Sequence, residues 1–130
     1  MKKRNAKVIV GTGTVEQFFK RAHEDAKKID RKEILPPEIR VTFEDPIELL
    51  RALSAERMRV IKTVRKHYAT KPTVSKLAVI LKRDRKAVSR DVKVLESFGL
   101  LKTREQSNPG HGMMKVIEPL AESYYLTATV

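Results

Sequence analysis

The strongest constraint on this chain lies between Thr73 and Gly99, where the first of two predicted helices ends at Leu81 and the cap of the second, Asp84, follows three residues later. Val74, Leu77, Ala78 and Leu81 recur at helical spacing, as do Val88, Val92 and Leu95. Thr73 stands before the first set and Asp84 before the second. Both are residue types whose side-chain oxygen satisfies a free backbone donor at a helix start. Gly99 is the expected stop. So short a link forces the second helix to fold back and bury Val88, Val92 and Leu95 on the helices before it. Arg85, Lys86, Ser89, Arg90 and Lys93 then fall on its first turns and outer side.

The flanking segments complete the pattern. Upstream, Asp45-Pro46 opens a helix with Glu48 three residues after the cap, and Ile47, Leu49, Leu50 and Leu53 form its apolar face. Ser54 recaps the chain for a helix carrying Met58, Val60, Ile61, Val64 and Tyr68, and Lys71-Pro72 ends it. Downstream, Leu100 to Arg104 and Met113 to Glu118 flank Ser107, Asn108, Pro109, Gly110 and Gly112, which predicts a hairpin with a long polar tip.

The remaining chain reads as an addition at either end. Residues 1–6 form a loose basic tail, and Lys7 to Val10 a short strand. Thr14 and Gln17 fit a capping box at the start of a helix. Val15, Phe18, Phe19, Ala22, Ala26 and Ile29 give that helix one apolar stripe, which must pack on the domain's own core or on a second copy. Pro36-Pro37 break the pattern; Ile39, Val41 and Phe43 then alternate with polar residues as a half-buried strand. Tyr124, Leu126, Ala128 and Val130 alternate in a final strand.

Helix, short helix, tight turn, helix and hairpin is the order of a winged helix-turn-helix. The expected fold class is α+β, mainly α: a winged helix-turn-helix over 45–118, an N-terminal strand–helix–strand extension over 1–44, and a C-terminal strand over 119–130. In such a fold the second helix of the pair offers its outer face to the major groove. Arg85, Lys86 and Ser89, at its amino end, are the candidates for base edges. Arg90 and Lys93 suit phosphates. Thr73, Ser75, Lys76 and Arg83 join them as candidate DNA contacts from the first helix and the turn. Lys102, Arg104, Asn108, His111 and Lys115 are the candidates from the wing.

Leu49 to Leu101 resembles the winged-helix regulators of the MarR-like kind, and is most similar to small prokaryotic DNA-binding proteins, some of them antitoxin-like. The matching pieces are Leu49-Leu50-Arg51-Ala52-Leu53-Ser54, Arg57-Met58-Arg59-Val60-Ile61 and Val74-Ser75-Lys76-Leu77-Ala78. The most specific run is Arg83 to Glu96, finished by Phe98-Gly99-Leu100-Leu101. The resemblance implies sequence-specific duplex binding and transcriptional control, often by a homodimer; repression is the expected direction of control. It hardly touches the first 44 residues. Such families place glycine just after the first helix of the pair, where φ is positive; this chain has Lys82. A non-glycine residue there costs on the order of 1 kcal/mol, unless the turn takes another form.

Charge agrees with a polyanionic partner. The 130 residues carry 28 basic and 16 acidic side chains, a net +12. Residues 45–99 hold 14 basic and 6 acidic residues, a net +8, whereas 1–44 net +4 and 100–130 net zero. A solvated basic helix face is the plain alternative.

Cysteine is absent, which excludes disulfides, thiolate metal sites and cysteine nucleophiles. His23, His67 and His111 stand in no ligand spacing, so no metal and no cofactor is expected. No stretch reaches the roughly 18 apolar residues of a membrane span. The basic start lacks the apolar run of a signal peptide. A cytoplasmic location without membrane attachment is the expectation.

Val8-Ile9-Val10-Gly11-Thr12-Gly13-Thr14 resembles the opening of a nucleotide-binding strand–loop–helix. However, Glu16 stands where the third glycine belongs, and no P-loop lysine is present. No nucleophile elbow or related catalytic motif occurs, so an enzyme is not expected.

The leading function is therefore a duplex DNA-binding regulator, dimerising through Val15, Phe18, Phe19, Ala22 and Ile29. The alternative is a protein-interaction module, an antitoxin or adaptor that uses the N-terminal helix to hold a partner such as a toxin. RNA binding is permitted by charge. It is disfavoured because aromatics are 5% of residues and are expected mostly at core positions.

Overall fold

The computed structural model describes residues 6–33 and 37–129, except for the side chain of Val15. The start of the basic tail, Pro36 and Val130 lie outside the described residues. The described chain forms two compact units: one is built from strands and a helix near both ends of the sequence, the other spans Leu50–Leu120.

The first unit is a β-α-β arrangement with an added strand. Strand β1 (Lys7–Thr12) leads into helix α1 (Val15–Asp30), and strand β2 (Glu38–Phe43) returns parallel to β1, from Lys7 beside Glu38 to Thr12 beside Phe43. Parallel neighbours require such a crossover. Strand β5 (Ser123–Leu126) pairs with the other edge of β1, also parallel, with Lys7 beside Ser123 and Val10 beside Leu126. The order is therefore β2-β1-β5. Val8 and Val10 are fully buried in the central strand while Lys7 and Ile9 are half-buried, the two-residue period of a strand. No local sequence pattern specifies this parallel pairing.

The capping box at α1 is present: Gln17 N donates to Thr14 Oγ1 at 3.2 Å, and Thr14 N donates to Gln17 Oε1 at 3.0 Å. Yet the apolar stripe is uncovered within the chain. Phe18, Phe19, Ala22, Ala26 and Ile29 are all exposed.

Helix α2 (Pro46–Ala52) carries the chain into the second unit, where helices α3 (Ala55–Lys66), α4 (Val74–Leu81) and α5 (Arg85–Ser97) precede a hairpin of β3 (Leu101–Asn108) and β4 (Gly112–Pro119). A single 3-10 turn, Tyr68–Thr70, follows α3. Each α3–α5 start is capped by the residue expected: Ser54 accepts from Arg57 N, Thr73 from Lys76 N and Asp84 from Lys86 N. The core comprises Leu53, Val60, Ile61, Val64, Leu77, Ala78, Val88, Val92, Leu95, Leu100, Leu101, Val116 and Ile117, all buried. Each of its larger side chains contributes about 1.5–3 kcal/mol of burial. This is a winged helix-turn-helix in an α+β chain.

The turn between α4 and α5 settles the question raised by Lys82. Its φ is 54° and ψ 48°, the left-handed conformation that glycine would adopt freely. Arg83 N donates to Ala78 O at 3.0 Å and Lys82 N to Val79 O at 3.3 Å, so the last carbonyls of α4 are satisfied in a Schellman motif despite the side chain. Gly99, with φ 74°, ends α5 in the same way through Leu100 N to Leu95 O.

The hairpin tip is shorter than expected. Pairing continues to Asn108 opposite Gly112, so only Pro109, Gly110 and His111 lie outside the ladder. Pro109 and Gly110, the latter at φ 81°, fit a type II turn closed by His111 N to Asn108 O at 2.8 Å. A turn of this kind needs few residues, so the polar run joins the strands instead of forming a loop.

Candidate nucleic-acid interface

Helix α5 divides as its sequence requires. Val88, Asp91, Val92 and Leu95 are buried. Arg85, Lys86, Arg90 and Lys93 are exposed, and Ser89 is half-buried. None of these four cations makes a side-chain hydrogen bond or ion pair among the described residues. Four unpaired positive groups on one face, on a helix whose other face is locked in the core, form a cationic ridge.

Elsewhere in the same unit the start of α4 and the wing line a groove of about 520 Å³. Thr73, Val74, Ser75 and Lys76 contribute from the helix, and Asn108, Met114 and Lys115 from the hairpin. The structure thus brings together Thr73, Ser75, Lys76, Asn108 and Lys115, residues up to 42 positions apart in sequence. Lys102 and His111 are exposed on the hairpin, outside that lining.

Three of the candidate cations have other engagements. Lys76 Nζ donates to Thr70 O at 2.9 Å and Lys71 O at 3.4 Å, tying α4 to the end of the 3-10 turn. Arg104 Nε lies 2.6 Å from Glu118 Oε1 across the hairpin, and its Nη1 donates to Gln106 Oε1 at 2.7 Å. Arg83 Nη1 donates to Asp91 Oδ2 at 2.8 Å, while its Nε is 3.4 Å from Glu56 Oε2.

Two carboxylates not singled out in the sequence, Asp91 and Glu118, receive Arg83 and Arg104. Asp91 is only 8% exposed and also accepts from Arg57 Nε at 3.2 Å. Its signal was available: a charged residue on the same helical face as Val88, Val92 and Leu95. Glu118, also buried, accepts from the Tyr68 hydroxyl at 3.2 Å. Desolvation of Tyr68, followed by the charge of Glu118 and the hydrogen bond to it, raises the phenol pKa above its ordinary value; Arg104 opposes the shift.

The aromatic residues correct one expectation. Phe43 is buried, but Phe18 is 57% and Phe19 64% exposed, and Tyr125 is more than half exposed. For the two phenylalanines the reason is the exposed face of α1. Phe18 and Phe19 meet edge to face, with centroids 5.6 Å apart and planes at 74°, so they do not present parallel platforms for bases.

The Gly11-Thr12-Gly13 segment, where β1 ends, is packed against the chain itself. A Cβ at Gly11 would lie 2.7 Å from Thr127 Oγ1, and one at Gly13 would lie 3.0 Å from Gln17 Oε1. The glycines admit neighbouring side chains, and the capping box of α1 takes up Thr14 N and Gln17 N. Among the described residues no group of three or more His, Asp or Glu side chains is placed to hold a metal ion, and no helix is long and apolar enough to cross a membrane.

Residues 52–113, which include α3, α4, α5 and most of the hairpin, match the family HVO_A0114. No curated protein matches the chain. Among solved structures it is similar to a Methanosarcina mazei Go1 protein described as a possible transcriptional regulator. The identity is 22% and the TM-score 0.49, over 62% of this chain and 68% of that one.

Proposed function

We propose that the protein is a sequence-specific, duplex DNA-binding transcriptional regulator of the MarR-like kind, acting as a homodimer and as a repressor by occupying its site. The observation that carries this reading is the cationic ridge of α5, with Arg85, Lys86, Arg90 and Lys93 unpaired on a face opposite the core. In this reading residues 45–118 are the DNA-binding domain. Arg85, Lys86 and Ser89 meet base edges in the major groove, and Arg90 and Lys93 meet phosphates. Thr73, Ser75 and Lys76 approach the backbone from the start of α4, while Lys102, Asn108, His111 and Lys115 reach it from the wing. The segments 1–44 and 119–130 serve assembly, with Phe18, Phe19, Ala22 and Ile29 of α1 against a second copy. No catalytic step and no cofactor enters this reading, and the protein works in the cytoplasm.

The test is binding of labelled random-sequence duplex DNA, followed by fluorescence anisotropy at two salt concentrations with single-stranded RNA as competitor. Micromolar or tighter binding that weakens steeply with salt and resists the RNA is the expected result. Absence of binding at low salt would move the function to the second reading, an antitoxin or adaptor holding a protein partner. The exposure of Phe18 and Phe19 favours that reading: it requires a partner that copurifies with the chain and is lost when both are replaced.

A further inference from the structure

We infer that Asp91 is a specificity-determining residue, one that holds the Arg83 guanidinium away from the duplex. The inference rests on the duplex-binding reading and adds to it the assignment of a cation that does not touch DNA. Arg83 stands directly before Asp84, the cap of α5, at the entrance to the helix with the exposed cations. By sequence it belongs to the same basic cluster as Arg85 and Lys86. Its side chain is nevertheless only 23% exposed, with Nη1 2.8 Å from Asp91 Oδ2 and Nε 3.4 Å from Glu56 Oε2.

Each oxygen of Asp91 has its own guanidinium: Oδ1 receives Arg57 and Oδ2 receives Arg83. Glu56 is shared with Arg59, so the cluster contains two carboxylates and three guanidiniums, and only one positive charge in it is left unmatched. For Arg83 to reach a phosphate, a nearly buried carboxylate oxygen would have to lose its partner. Such an exchange is opposed by the cost of an unpaired buried charge.

The consequence concerns the balance between two kinds of binding. Sequence-independent affinity grows with the number of phosphates neutralised, whereas discrimination comes from contacts to base edges. Withholding one cation at the helix entrance lowers the first and leaves Arg85 and Lys86 to supply the second. Asp91 thus raises the ratio of specific to non-specific binding without touching DNA.

The experiment compares the salt dependence of binding to a random-sequence duplex for the unsubstituted chain, Arg83→Ala, Asp91→Asn, Asp91→Glu and Arg85→Ala. Binding is read by anisotropy, and thermal melting establishes that each variant is folded. Arg83→Ala is expected to keep the slope of log affinity against log salt, while Arg85→Ala flattens it by about 0.9 for a lost phosphate contact or lowers affinity at every salt for a lost base contact. Asp91→Asn is expected to steepen the slope by about 0.9 and to tighten low-salt binding. Asp91→Glu, which keeps the carboxylate, returns the slope toward the original.

A merely structural aspartate would change the melting temperature without steepening the slope. Flattening by Arg83→Ala of about 0.9 would overturn the inference, as would a folded Asp91→Asn with the original slope. Should Asp91→Asn fail to fold, Arg83→Ala decides alone. If the unsubstituted chain binds no duplex at low salt, the duplex-binding reading itself fails, and this inference with it.

Discussion

Arg57 Nε lies 3.2 Å from Asp91 Oδ1, and through that contact α3 is fastened to the middle of α5. The same guanidinium donates from Nη1 to Arg51 O at 3.0 Å and Ala52 O at 3.3 Å, so it also satisfies carbonyls at the end of α2. Arg83 reaches Asp91 as well, but it touches no carbonyl among the described residues. Arg57→Met should therefore destabilise the fold by about 2–3 kcal/mol and Arg83→Met by about 1 kcal/mol, the difference reflecting the orphaned carbonyls of α2. Urea unfolding of the two variants measures it. Equal losses would mean that the carbonyl contacts contribute nothing.

Lys82 holds a left-handed backbone conformation at the end of α4. Lys82→Gly relieves about 1 kcal/mol or more of steric strain and gives back part of it as greater freedom of the unfolded chain. The expected net gain is about 0.5 kcal/mol, visible as a higher denaturation midpoint with an unchanged m-value. Lys82→Ala should show no such gain.

The Tyr68–Glu118 contact gives a signed pH effect. Because the folded chain raises the phenol pKa, the neutral phenol is the form that the fold favours. The stabilisation is fully present below the unfolded value of about 10 and is lost as pH climbs through the raised folded value. Tyr68→Phe should thus cost about 1 kcal/mol at neutral pH. Relative to the parent, the deficit should shrink above about pH 10, where the parent loses the same contribution. Chemical denaturation at a series of alkaline pH values is the measurement.

Replacing Phe18 and Phe19 by serine tests assembly apart from folding. Both rings are more than half exposed within the chain, so the change should move monomer stability by no more than about 0.5 kcal/mol. Under the homodimer reading it should shift the sedimentation coefficient from dimer to monomer at micromolar concentration. A parent chain that sediments only as monomer would remove the homodimer.

Under the duplex-binding reading the exposed cations of α5 should give different signatures. Arg85→Ala and Lys86→Ala should relax sequence preference, each costing roughly 1–3 kcal/mol on the selected duplex if the contact to a base is bidentate. Arg90→Ala should weaken all duplexes alike and flatten the salt slope by about 1. Selection from a random library, repeated with each variant, separates the two behaviours.

Much of the second unit was legible because its signals are local. Ser54, Thr73 and Asp84 cap the helices they precede, and Gly99 ends α5, each within one turn of chain. The inward set of Val88, Val92 and Leu95 follows from helical spacing alone. What sequence did not reveal depends on partners in other elements of the fold. No local pattern says that β1 will take β2 on one edge and β5 on the other. Nor does a count of cations say where their side chains go: Lys76, Arg83 and Arg104 read as surface charge, yet each meets an acceptor supplied by another element or strand. Asp91 was missed for a related reason. Its burial becomes tolerable only when Arg57 and Arg83 arrive from other segments.

The placement of β1 between β2 and β5 has a consequence for how the chain is made. Lys7 must wait for Ser123 before its strand has both neighbours, and everything from α2 to β4 emerges from the ribosome in the interval. The helical unit can collapse on contacts close in sequence during that time, whereas β1 shows an open edge to the crowded interior of the cell. Closing the sheet is therefore a late, long-range event, and the nascent chain is most exposed to mispairing just before β5 is delivered.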